Sequence, residues 1–94
     1  MSATSRCTVV LVGENVPAEF GSEAATDITT EFETRGPRYF NAICTFEGGT
    51  LVLSCDNDGW DADGLNLMDE FSDCLSAYLP SFDGDVKIVS ITKY

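Results

Sequence analysis

At 94 residues the chain has room for one domain, 1–94, whose core is a single sheet covered by one or two helices, because folding at this size buries only about 60 to 65% of the unfolded surface. Apolar residues make up 44% of it, which excludes a disordered chain despite a net charge of −11. That charge excludes direct binding of nucleic acid or anionic membranes, and the absence of histidine removes Ser-His and Cys-His nucleophile pairs, so the chain does not read as an enzyme.

The first six residues, "MSATSR", lack the apolar stretch of a signal peptide, and no apolar run approaches the roughly 20 residues that cross a bilayer. A cytoplasmic protein with a flexible 1–5 segment is expected. Cys7 to Gly13, "CTVVLVG", is a β-branched apolar run stopped by glycine and predicts a central strand. "ENVPAEFGSEA" carries Pro17 and Gly21 and reads as a loop or short helical turn.

From Ala24 to Thr34 apolar and threonine positions (Ala24, Thr26, Ile28, Thr30, Phe32) alternate with Asp27, Thr29, Glu31 and Glu33, which favours a strand. If Arg35-Gly36-Pro37 is a three-residue loop, Phe32 meets Phe40, Thr30 meets Ala42 and Ile28 meets Cys44 in a β-meander. A helix ending at Gly36 before Pro37 is the competing reading.

A hairpin follows. Phe40, Ala42, Cys44 and Phe46 share one face, and a two-residue turn at Gly48-Gly49 sets Phe46 against Leu51, Cys44 against Leu53 and Ala42 against Cys55. From Asp61 to Leu79 the period becomes helical, with Leu67, Met68, Phe71, Cys74, Leu75, Tyr78 and Leu79 on one stripe, and Pro80 ends it. "VKIVSITK" is the last strand, from Val86 to about Lys93. The four cysteines occupy core positions at spacings unlike a zinc motif, which predicts buried thiols.

The fold class is therefore α+β: an antiparallel sheet of four to five strands with one long amphipathic helix on one face. A helical second segment converts this to βαββαβ, the ferredoxin-like order.

Charge is concentrated. No basic residue lies between Tyr39 and Val86, and the stretch from Cys55 to Asp73 holds seven of the sixteen acids: Asp56, Asp58, Asp61, Asp63, Asp69, Glu70 and Asp73. A calcium loop with Gly64 at its sixth position would use Asp61, Asp63 and Glu70, but it puts Gly59 where the first carboxylate is needed. No metal or other cofactor is expected. Asp61 or Asp63 can cap the helix N-terminus, whereas Asp69, Glu70 and Asp73 have no basic i,i+4 partner.

A partner-binding ridge of Asp56, Asp58, Asp61, Asp63, Asp69, Glu70 and Asp73 accounts for them, with Trp60 as the apolar anchor at its start. The function expected on these grounds is a non-catalytic acidic protein that occupies the cationic surface of a basic, nucleic-acid-handling protein or nucleoprotein complex. Immunity proteins, nuclease inhibitors and phage anti-defence proteins are of this physical type. The alternative is a small structural or regulatory subunit, or a homodimer, pairing through the sheet side away from the long helix. Tyr39, Ile43, Val52, Val10 and Val12 would then form the contact and the acids would serve solubility.

Overall fold

The computed structural model describes residues 7–34, 39–57, 61, 63–79 and 82–93. Along them run β1 (Cys7–Gly13), α1 (Ala18–Glu33), β2 (Tyr39–Glu47), β3 (Thr50–Asn57), α2 (Leu65–Tyr78) and β4 (Val86–Lys93). The four strands form one antiparallel sheet in the order β2-β3-β1-β4, which is the ferredoxin-like arrangement. Expectations for residues 1–5, the Arg35-Gly36-Pro37 loop, Asp58, Trp60 and Pro80 fall outside the described residues.

The strand expected from Ala24 to Thr34 is instead the second half of a 16-residue helix, and the loop expected before it is the helix's first turns. The reason lies in the spacing. Ala24, Ile28 and Phe32 sit four apart, a spacing shared by the strand period of two and the helical i,i+4 row. Ala25 and Gly21 are buried beside them while Thr26 and Thr30 are exposed, and only a helix produces that division.

β-branched residues cost helix propensity, but here the hydroxyls turn back onto the preceding turn. Thr26 donates to the Ser22 carbonyl at 3.3 Å, Thr29 to Ala25 at 2.9 Å and Thr30 to Thr26 at 3.1 Å. Thr29 Oγ1 also accepts the Cys44 amide at 2.9 Å, so α1 seals an outward N–H of edge strand β2.

The hairpin pairs Phe46 with Leu51 and Cys44 with Leu53 across a turn in which Gly48 and Gly49 take φ of 55° and 82°. Two successive residues at positive φ make the turn that matches strand twist, and only glycine enters it freely. Beyond Ile43 the expected register is lost. A bulge sets Phe40 against Asp56 and Tyr39 against Asn57, and Asn41 takes φ of 53° within it. Ala42 therefore does not pair with Cys55. Tyr39 packs under the helices edge-on to Phe32, with ring centroids 5.6 Å apart, and Phe40 goes to the opposite face with Asp56.

α2 begins at Leu65, four residues later than the sequence stripe suggested. Gly64, at φ of 73°, closes a turn onto the Asp61 carbonyl just ahead of it. Both helices cover one sheet face, and the core between them contains Val9, Leu11, Ile28, Phe32, Leu51, Leu53, Leu67, Phe71 and Leu75.

All four cysteines are buried and free. Burial pushes the Cys44 and Cys55 thiols up to about 12. Native protein at pH 8 is expected to resist iodoacetamide at both positions and to react on unfolding, with labelling followed by mass spectrometry. The unfolded thiols ionise from about pH 8.5 upward, so above that the unfolded state binds fewer protons than the native one. The contribution of these two thiols to stability is level below that pH and falls as pH rises toward 12.

Candidate functional site

α1 presents Glu19, Glu23, Asp27, Glu31 and Glu33, and α2 presents Asp69, Glu70 and Asp73, while neither helix contains a lysine or arginine. Glu19, Glu23, Asp27 and Glu31 follow one another at i,i+4, the row that runs along a single helix ridge. Because both helices lie on the same side of the sheet, these carboxylates belong to one layer of the molecule.

That layer costs helix stability. Each like-charged i,i+4 pair opposes folding by about 0.2 to 0.5 kcal/mol. Acidic Glu31 and Glu33 stand in the last turn of α1, where no basic residue complements the helix dipole. A hydrogen bond between the two helices lies within the layer: the Tyr78 hydroxyl donates to Glu31 Oε1 at 2.8 Å. Accepting that bond, the Glu31 carboxylate holds the phenol above its ordinary range, since ionised tyrosine would lose the donor and face a negative neighbour.

The acids singled out in the sequence separate into three environments. Asp61 is 2% exposed and serves α2: its Oδ2 accepts the Leu67 amide at 2.9 Å and its Oδ1 accepts the Asn66 amide at 3.2 Å. Its own carbonyl accepts the buried Asn57 side-chain amide at 3.2 Å. Asp63 is exposed beside it and accepts the Leu65 amide at 3.4 Å. Asp56 lies across the sheet from the helices, held by the Thr8 hydroxyl and by Asn41 Nδ2 at 3.0 Å. Asp69 and Asp73 are exposed on α2 and Glu70 is half-buried there. α2 therefore brings Asp69, Glu70 and Asp73 together, and Asp56 and Asp61 are not part of that surface.

The sequence reading does not join the five acids of α1 into a site, because it sets Glu19 and Glu23 in a loop or short helical turn and Asp27, Glu31 and Glu33 on the solvent side of a strand. The signal that finds them is the 19-23-27-31 spacing, which has a period of four.

The reverse side of the sheet is different in kind. Val10, Val12, Val52, Ile43 and Phe40 occupy it among threonines and serines, and the charged residues its strands carry there are Glu47, Asp56 and Lys87, with Glu14 against Lys87 at the edge. The expected apolar strip is thus present, with Phe40 in place of Tyr39. Among the described residues no cluster of three or more His, Cys, Asp or Glu could hold a metal ion, and no helix is long and apolar enough to cross a membrane. Comparison of the chain with protein-family models, with curated proteins and with solved structures finds no match.

Proposed function

We propose that this protein is a non-catalytic acidic binding module whose two-helix surface docks onto a basic protein or nucleoprotein complex and occupies the cationic surface that otherwise holds phosphate. The observation that carries this reading is the eight-carboxylate helical layer without a single intrahelical cation, kept although it weakens the helices that bear it. Carboxylates offer lysine and arginine the charge-assisted bonds that phosphate oxygens offer, and a net charge of −11 accelerates encounter with a positive surface. Inhibition then follows from occlusion, as in the immunity-protein, nuclease-inhibitor and phage anti-defence types.

The test is affinity capture from cell lysate with the wild type, with Asp69→Asn/Glu70→Gln/Asp73→Asn, and with Glu19→Gln/Glu23→Gln/Asp27→Asn. Basic proteins are expected on the wild type at 50 mM salt and not at 300 mM, with duplex DNA or RNA competing for them and each triple variant losing about tenfold or more of the captured material. Variants that fold and capture the same proteins with the same salt dependence would end this reading.

A further inference from the structure

We infer that two copies of this chain pair through the open faces of their sheets, stacked so that the two-fold axis runs parallel to the strands. This surface is separate from the acidic helical layer and does not depend on its function.

Three observations select a second copy as the occupant. The first is the distribution of charge. A chain of net charge −11 repels its own kind at every surface where acids dominate, but the strands of the open face carry only Glu47, Asp56 and Lys87 among Val10, Val12, Val52, Ile43 and hydroxyl side chains, with Glu14 paired to Lys87 at its edge. Stacked sheets lie about 10 Å apart, which leaves the two helical layers on opposite outer sides and farther apart than the ~10 Å screening length at 0.1 M salt.

The second is extent. Four strands at about 4.8 Å spacing and about 24 Å of length give each copy a face near 460 Å², so the pair buries about 920 Å², the extent of a weak, reversible association that forms at high micromolar concentration.

The third is complementarity under this particular symmetry. The registers place Thr45, Val52, Val12 and Lys87 in one row across the sheet, with Glu47 one step further along β2. Turning a second sheet about an axis parallel to the strands lays its β4 over the first copy's β2 and its β1 over β3. Val52 then meets Val12 of the other copy, and Lys87 of each reaches toward Glu47 of the other. Each contact occurs twice, as a two-fold interface requires. An axis across the strands instead stacks each strand on itself and brings Glu47 over Phe40, so that neither Glu47 nor Lys87 meets an opposite charge of the other copy. Lys87 is 56% exposed and already bridges to Glu14 at 3.4 Å, and an ammonium has three donors to share between two carboxylates.

Sedimentation equilibrium between 5 and 500 µM in 150 mM salt tests the assignment. The wild type is expected to rise from the 10.2 kDa monomer toward twice that mass. Ile43 is 59% exposed, so Ile43→Glu leaves the fold intact and is expected to weaken association by about tenfold or more. Lys87→Glu should weaken it by about tenfold and Glu47→Lys/Lys87→Glu should restore it to within about threefold, while Glu14→Gln leaves it unchanged. The helix-neutralised triple variants should dimerise as the wild type does or more tightly, whatever they capture from lysate. A wild type that stays at 10.2 kDa throughout, an Ile43→Glu variant that dimerises normally, or a charge swap no tighter than Lys87→Glu alone overturns the inference.

Discussion

Asp61→Ala is expected to lower the free energy of unfolding by about 2 to 3 kcal/mol, seen as a fall in Tm of roughly 10 to 20 °C. The carboxylate accepts two of the first free amides of α2, at 2.9 and 3.2 Å, in a place with 2% exposure where water does not replace it. Removing it therefore leaves buried donors without acceptors, a larger loss than that of an exposed cap. Asp63→Ala makes the control, since the neighbouring exposed carboxylate has a single 3.4 Å contact, and it should change stability by less than about 0.5 kcal/mol. Asp61→Asn keeps one acceptor and should fall between the two. Thermal melts followed by circular dichroism give the ranking, and hydrogen exchange at Asn66 and Leu67 locates the loss. Partner capture by Asp61→Asn should match the wild type below its melting point, because a carboxylate facing inward has no part in an outer contact.

Gly21→Ala should also destabilise, against the usual rule. In a helix interior, replacing glycine by alanine adds about 1 kcal/mol of stability through reduced backbone freedom. Here the added Cβ would stand 2.5 Å from two ring carbons of Phe46, far inside van der Waals contact. α1 crosses β2 at this point with the ring laid on the helix backbone, so either the ring or the helix must shift. Overpacking of this kind costs about 1 to 3 kcal/mol, and a Cβ this deep inside contact distance belongs to the upper half of that range, so after the backbone gain a net loss of about 1 to 2 kcal/mol remains, a Tm loss of roughly 5 to 15 °C. Gly21→Ala/Phe46→Leu frees the contact and should be more stable than the sum of the two single effects by at least about 1 kcal/mol. A rise in Tm for Gly21→Ala alone would show that the ring moves aside at no cost.

Elements whose hydrophobic period has one interpretation were legible in the sequence. Cys7 to Gly13 and Val86 to Lys93 are strands, Gly48-Gly49 is the hairpin turn, and the stripe from Leu67 to Leu79 is the buried side of α2. The four cysteines are buried, as their apolar surroundings predicted. α1 was not legible from Ala24, Ile28 and Phe32, which suit both periods. The deciding residues are Ala25, buried where alternation demands exposure, and Thr26 and Thr30, exposed where it demands burial.

The β2 bulge left only a faint trace. Asn41 tolerates positive φ better than most residues, but an asparagine in a strand does not by itself announce an extra residue. For the candidate site, Asp69, Glu70 and Asp73 stand out in the sequence because no lysine or arginine lies four residues from any of them. Asp61 was recognised both as a cap and as a ridge member, and its burial places it in the first role. The α1 row stayed hidden because it depended on the secondary structure that was misread.

The bulge at Asn41 and Ala42 works as a one-residue frameshift in the strand. Ahead of it the chain presents its odd position, Tyr39, to the interior; past it the even positions Ala42, Cys44 and Phe46 take over. The two ends of β2 thereby answer to separate constraints, one set by the α1 junction and the other by the glycine turn. With one more or one fewer residue at this point, Tyr39 and Ala42 could not both face the interior while the hairpin kept its inner side.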